Sequence, residues 1–269
     1  MTARGSEDSA GTPSVDEIIF VGSGGGRMTT VTQLRATGGL WITLDGMNLA
    51  VDPGPGALVH YRSQKLGLDP ARLDAVILTH KHLDHSGDVN AVIEAMTTGG
   101  TRKRGAVFAP RDAYENDPVI LRYVRDYPQE TRVLEPEGRY TIGAVAVETP
   151  LRLLHPGGDL WASIPGVAVH GEPDRLHRLL SGSGAGVSGD VLILNVVYKD
   201  PRDAVHLAVP DARRLIDALR PRLAVLTHFG MTMIRANPRK LADSLSRETG
   251  VRVLAARDGW RLRLNQTLS

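Results

Sequence analysis

The chain contains no cysteine, which removes disulfides and thiolate metal ligands together, so any bound metal has to sit on His, Asp or Glu. Cysteine pairing therefore carries no information on redox compartment. Neither sign of charge is in excess, since 32 Lys and Arg against 30 Asp and Glu leave a formal +2. That balance lacks the clear basic face of a nucleic-acid binder. No stretch approaches the roughly 18 apolar residues of a membrane span, and the opening MTARGSEDSAGTPSVD has no apolar run of the kind a signal peptide carries. Residues 1–15 read as a disordered tail on a cytoplasmic protein. No internal repeat or interdomain linker stands out, and 269 residues can bury a sizeable core, so residues 16–269 are expected to form one domain.

The remainder reads as strands first, then strands alternating with helices. EIIFVG, TQLRATGG, LWITLDG and NLAVDPGPG have strand patterns broken by turn residues, which predicts an opening run without a helix. LDAVILT suits a strand buried on both faces, and GDVNAVIEAMT places Val89, Val92, Ile93 and Met96 at helical spacing. TRKRG reads as a solvated loop, AVFAP as a short strand, and DPVILRYVRDYP as a helix closed by Pro128. GAVAVET, WASIPGVAVHG, DVLILNVV and LAVLTH read as strands, with SGSGAGVSG as a flexible connection. Pro210 suits the first turn of a helix burying Ala212, Leu215, Ile216 and Leu219; Asn237-Pro238 opens a last helix that Gly250 ends, and Asp258-Gly259 suggests a closing hairpin. This order puts sheets in the middle and helices outside.

One stretch concentrates the chemistry. LTHKHLDHSGD, Leu78–Asp88, holds three of the nine histidines and two aspartates at the turn between a buried strand and a helix. His80 and His82, two residues apart at a strand mouth, can reach one cation, while Asp84 and His85 curl round towards a second. His60 and His177 stand alone and read as ordinary surface or core residues. VGSGGGR follows a strand, yet it lacks the GK[ST] ending of a phosphate loop and is followed by strand pattern, so it is expected to border the site without binding a nucleotide cofactor.

THKHLDH resembles the T-H-x-H-x-D-H signature of the metallo-β-lactamase-fold hydrolases, and the order FVGSGGGR, VDPGPG, VLTHFG follows that family across nearly all of the chain after the tail. The likeness is strongest to the phosphodiesterase branch that includes ribonuclease Z. The resemblance implies a four-layered αββα sandwich of the α/β class with two divalent metal ions at its lip. His80, His82 and His155 (in RLLHPGG) would hold one metal; Asp84, His85 and His228 (in LAVLTHFG) would hold the other, with Asp84 also catalytic. The family's bridging aspartate follows a glycine, where this chain has Glu172 in VAVHGEPDR; Asp174 is the alternative. Asp52 is a candidate to orient a ligand histidine from behind, against its reading as a plain turn residue. Nitrogen and oxygen donors without sulfur make zinc the default, with manganese or iron acceptable.

His206, twenty-two positions before His228, matches a histidine that in this branch is no ligand but protonates the leaving group. The resemblance thus implies a hydrolase that uses a metal-bridging hydroxide on a phosphodiester. His155 and Glu172 are only seventeen positions apart, which leaves no room for the tRNA-gripping arm of ribonuclease Z. A small or cyclic nucleotide or a short oligonucleotide is the expected substrate, with arginines available to clamp phosphate, no membrane partner, and a homodimer compatible. Hydrolysis of an ester, lactone or thioester on the same metals is the alternative, followed by a mononuclear iron dioxygenase, which would tolerate a damaged bridge, and a scaffold with a degraded site. His82, where flavin-linked di-iron members carry a carboxylate, argues against that oxygen chemistry.

Overall fold

The computed structural model describes residues 16–149, 162–164, 167–170, 190–202 and 206–267. Strands β1 (Glu17–Phe20), β2 (Leu40–Leu44) and β3 (Met47–Val51) form an antiparallel meander. To its open edge β4 (Ala75–Ile77), β5 (Ala106–Pro110) and β6 (Glu130–Leu134) add in parallel, and β15 (Trp260–Arg263) closes the other edge beside β1. The second sheet begins with β7 (Gly138–Ile142), β8 (Val145–Thr149), β9 (Ala162–Ile164) and β10 (Val167–His170) in antiparallel order. It continues in parallel through β11 (Val191–Tyr198), β13 (Leu223–Thr227) and β14 (Arg252–Ala255), with β12 (Leu207–Ala208) beside β11. Each sheet path therefore runs through three antiparallel and then three parallel pairings. The two halves share a topology that no repetition of residues announced, because pairing order depends on pattern and not on identity.

Three apolar layers follow from strand alternation. Ile18, Phe20, Ile42 and Ile77 point from the first sheet towards Val147, Val191, Ile193 and Val225 of the second. Their neighbours Ile19, Val76 and Val107 point the other way, onto Tyr61 of α2 (Ala57–Arg62) and Val92, Ile93 and Met96 of α4 (Val89–Met96). On the far side Leu192, Leu194 and Leu226 meet Leu215 and Ile216 of α5 (Val209–Leu219) and Leu245 of α7 (Pro238–Thr249). The result is a helix–sheet–sheet–helix sandwich, as expected, and each fully buried side chain of this size contributes about 1.5–3 kcal/mol. The parallel strands β4 and β13 are buried at every position, which is why they read as unbroken apolar runs. The α7 boundaries also match: Asn237 Oδ1 accepts from Lys240 N at 3.4 Å, and Gly250 ends the helix at φ 69°. No helix among the described residues is long and apolar enough to cross a membrane.

Three local readings are corrected. The opening is not helix-free: the glycine cluster leads into α1 (Arg27–Thr32), and TQLRATGG is no strand. The β-branched residues suggested a strand, but Thr30 and Thr32 donate back to the carbonyls of Gly26 (2.9 Å) and Met28 (2.7 Å), a contact that only a helical turn provides. DPVILRYVRDYP holds a single 3₁₀ turn, Arg122–Val124, instead of a helix. Its apolar spacing is met by an irregular loop, in which Asn90 bonds Val119 O (2.8 Å) and Leu121 N (2.9 Å), and Arg125 bonds Tyr114 O (2.7 Å) and Ile120 O (2.8 Å). Asp258-Gly259 does not close a hairpin, because β14 lies in one sheet and β15 in the other; the turn crosses between the layers.

Candidate metal centre

The histidine motif leaves β4 at Leu78, whose N–H still joins the ladder by donating to Phe108 O at 2.8 Å. The chain bends at Thr79, and from an extended His82 (φ −57°, ψ 147°) it turns into the single-turn helix α3 (Leu83–Ser86). The Ser86 hydroxyl lies 3.0 Å from Lys81 O and 2.9 Å from His82 O, and His82 O also accepts from the backbone N–H groups of His85 (3.0 Å) and Ser86 (2.9 Å). VDPGPG passes directly beneath: a Cβ on Gly54 would lie 2.0 Å from Asp84 O, so only glycine fits. These constraints bring the tilted rings of His80 and His85 to centroids 4.0 Å apart, and set His80 and His82 edge-on at 4.8 Å. His80 and His85 are buried.

Asp52 organises this cluster from behind. Held at φ 51° just past β3, it accepts from Thr79 N (2.7 Å, Oδ1), from Thr79 Oγ1 (2.7 Å, Oδ2) and from His85 Nδ1 (2.9 Å, Oδ2). A carboxylate can only accept, so His85 carries its proton on Nδ1 and turns the lone pair of Nε2 to the site. The Thr79 hydroxyl, its proton committed to Asp52, accepts from His80 Nδ1 at 3.1 Å and fixes the same tautomer there. Burial would raise the Asp52 pKa, but in the metal-free protein, when their imidazoles are protonated, the charge and hydrogen bond of His85 and the charge of His80, with the Thr79 N–H, outweigh it and hold the carboxyl below its ordinary value. Asp52 is thus more than a turn residue.

His228 follows β13, again in the left-handed region at φ 61°, a backbone state uncommon for non-glycine residues. Its ring lies 4.5 Å from that of His85, and its Nε2 is 3.3 Å from Asp84 Oδ2. Gly26 N donates to the same Asp84 oxygen at 2.8 Å. Desolvation raises the Asp84 pKa, yet the His85 charge, the hydrogen bond and charge of His228 and the Gly26 N–H together hold it well below the ordinary range. The glycine loop borders the site as expected, and its N–H groups are already used: Gly24 bonds Ala36 O, Gly25 bonds Phe229 O, Gly26 bonds Asp84. That, and not the absence of a following helix, is what argues against a nucleotide-phosphate loop.

Asp84, His85 and His228 each offer a ligand atom, and these atoms lie within 4.8 Å of one another. Two imidazoles and a carboxylate, with His80 and His82 alongside, are a donor set that fits a divalent transition metal. Beside Asp84 and His82 opens a cleft of about 670 Å³ whose walls include Met28, Val31, Leu83, Tyr198, Arg202 and His206. The His206 ring meets Tyr198 edge-on at 5.7 Å, and the Arg202 guanidinium lies 5.1 Å over the Tyr198 ring. The structure thus brings His80, His82, Asp84, His85, His228 and Asp52 together and sets His206 on the adjoining wall. His155, Glu172 and Asp174 lie outside the described residues, as do His177, the SGSGAGVSG connection and residues 1–15. His60 sits on α2. Sequence reasoning missed Thr79, whose place inside the motif was the available signal, and the Arg202–Tyr198 pair, which carried none.

Comparison with known proteins agrees with the fold. Residues 47–174 match the beta-lactamase superfamily domain, a span that includes the whole motif. The chain belongs to this superfamily and is a metal-dependent hydrolase of the metallo-β-lactamase fold. It is 33% identical to the uncharacterized protein MJ1374 of Methanocaldococcus jannaschii over 92% of this chain and 95% of that one. It is 27% identical to a ribonuclease Z of Thermoplasma acidophilum, over 50% of this chain and 43% of the relative. The metallo-β-lactamase fold protein YhfI from Bacillus subtilis has the same fold, with a TM-score of 0.70 at 20% identity, over 93% of this chain and 99% of the other.

Proposed function

We propose that this protein is a phosphodiesterase acting on a small or cyclic nucleotide or a short oligonucleotide, with two metal ions, zinc by default. The carrying observation is His206 on the wall of the cleft that Asp84 and His82 open into. A ligand cluster alone would serve ester and phosphodiester hydrolysis equally; an additional histidine outside that cluster answers the need of an alkoxide leaving group for a proton. The likeness to a ribonuclease Z supports the same reading.

His80, His82 and His155 would hold one metal, and Asp84, His85 and His228 the other, with Glu172 reaching between them. When bound, the metals supply Lewis-acid stabilisation of phosphoryl charge and a nucleophilic water at neutral pH. The chain's own residues do the rest. Asp52 and Thr79 keep the lone pairs of His85 and His80 aimed at the site. The Gly26 N–H holds one Asp84 oxygen in place. Arg202, stacked on Tyr198, presents its guanidinium to a phosphate in the cleft, and His206 delivers the proton to the departing oxygen.

The test pairs elemental analysis of metal-replete protein with a panel of phosphodiester, carboxyl-ester, lactone and thioester chromogenic substrates. Two transition-metal ions per chain and turnover of phosphodiesters are expected. Efficient ester or lactone cleavage without phosphodiesterase activity overturns the reading in favour of the esterase alternative.

A further inference from the structure

Asp258 lies in the crossing between the two sheets, more than two hundred residues from the glycine loop, yet it holds that loop by two hydrogen bonds to Ser23 and the segment after α1 by one to Ala36. Its Oδ1 accepts from Ser23 N (2.8 Å) and Ser23 Oγ (2.7 Å), and its Oδ2 accepts from Ala36 N (2.9 Å). Arg35 Nη1 completes the knot by donating to Ser23 Oγ at 2.8 Å and Ala256 O at 3.3 Å. Ser23 is fully buried. From it the constraint runs two ways into the metal centre. Ser23 O accepts from Phe229 N (2.8 Å) and Gly25 N donates to Phe229 O (3.2 Å), clamping the residue that follows His228 in its left-handed turn. Three residues beyond Ser23, Gly26 delivers its N–H to Asp84.

We propose that Asp258 is a positioning residue for the metal centre: through Ser23 and the glycine loop it fixes both the His228 turn and the N–H that holds Asp84. The inference rests on the metal centre described above and extends it to a residue that touches neither ligand. Without the carboxylate, two backbone N–H groups and a hydroxyl lose their acceptor, and the loop is free to retreat from Asp84 and Phe229. Asn in its place keeps the shape but turns an amide NH₂ towards one of those donors.

The experiment measures Zn²⁺ affinity by competition with a chromophoric chelator, alongside melting temperature, in the wild type and in Asp258→Asn, Ser23→Ala, Asp74→Asn and His228→Ala. Asp74 is the control: like Asp258 it accepts from a backbone N–H (Asn48, 2.9 Å), its other oxygen accepts from Arg104 (3.0 Å), and it lies at the end of β4 away from the motif. Outer-shell partners of metal ligands typically account for about 10- to 100-fold in affinity, and Asp258→Asn is expected to lose zinc affinity within that range. Asp74→Asn is expected to lower the melting temperature while binding zinc as the wild type does. If Asp258→Asn binds zinc like the wild type, or Asp74→Asn loses as much, the positioning role is overturned. Should Asp258→Asn fail to fold, Ser23→Ala decides: weakened zinc binding at an unchanged melting temperature supports the proposal, and unchanged binding overturns it. Equal affinity in the wild type and His228→Ala would instead overturn the metal centre and the proposal with it, a pattern distinct from failure of Asp258 alone.

Discussion

Asp52 Oδ2 stands 2.9 Å from His85 Nδ1 while the same carboxylate takes two bonds from Thr79, so one buried acid sets the orientation of two histidines. Asp52→Asn preserves shape but presents an amide that can donate, and the His85 tautomer is no longer enforced. Zinc affinity is expected to fall about 10- to 100-fold with the fold retained. Circular dichroism alongside a chelator competition checks it; undiminished affinity would return Asp52 to the status of a turn residue.

The same carboxylates govern acid stability of the metal-free protein. Asp52 and Asp84 have folded pKa values below the ordinary 3.8, because histidine charges, hydrogen bonds and backbone N–H donors outweigh the desolvation that opposes them. A depressed carboxyl contributes stability that is complete above the unfolded value and is lost as pH falls through the folded one. Urea midpoints of the chelator-treated protein should therefore decline as pH drops below about 4, and more steeply in the wild type than in Asp52→Asn. Parallel curves would mean that the Asp52 interactions add nothing to the folded state.

Gly25 tests how close the loop must come. A Cβ there would lie 2.2 Å from three atoms of the His228 ring, so the ring or the loop has to move. Overpacking of this kind costs about 1–3 kcal/mol. Gly25→Ala is expected to lose metal content and activity by more than its melting temperature suggests. Gly67→Ala, where nothing lies within 4 Å although φ is +60°, should cost about 1–2 kcal/mol of backbone strain and leave the metal untouched. Equal metal content in both variants would remove the close approach from the account.

How far this site could be read beforehand depended on whether a role was local. His80, His82, Asp84 and His85 sit in one six-residue run with a specific spacing, and the buried strands β4 and β13 on either side of the sandwich have unbroken apolar composition, so the motif and the layers were legible. Asp52 could be nominated from its turn, but its dependence on Thr79 could not, because a hydroxyl's partner is a matter of three dimensions. Asp258 was misread for a sharper reason. Asp-Gly between two strands is also the strongest short hairpin signal, and nothing local says that the strands belong to different sheets. The helix α1 was missed because its six residues, RMTTVT, are too few to show a helical period and follow glycines that read as a turn.

Glu172, outside the described residues, remains a proposal from sequence order: it stands where related enzymes carry a bridging aspartate one methylene shorter. If it spans the metals, Glu172→Gln should reduce metal stoichiometry and activity together, and Asp174→Asn should leave both near wild type. Metal analysis by plasma spectrometry with parallel kinetics distinguishes them. The reverse pattern would transfer the bridge to Asp174.

In the proposed mechanism His206 distinguishes the reaction class, and its contribution there would depend on the leaving group. A general acid supplies about 10² to 10⁴ in rate when an alkoxide departs, and much less when a phenolate of low basicity leaves unaided. His206 shares its wall with Tyr198 and Arg202 and lies outside the cluster of Asp84, His85 and His228, so its removal should spare the metals. His206→Ala is therefore expected to retain its metal content, lose about that factor on a nucleotide phosphodiester, and lose far less on a bis-aryl phosphate. An esterase working through the same metals would give no such contrast, because it would cleave neither phosphodiester well. Equal losses on both substrates at full metal content would take His206 out of the proton transfer and leave it a residue that positions the substrate.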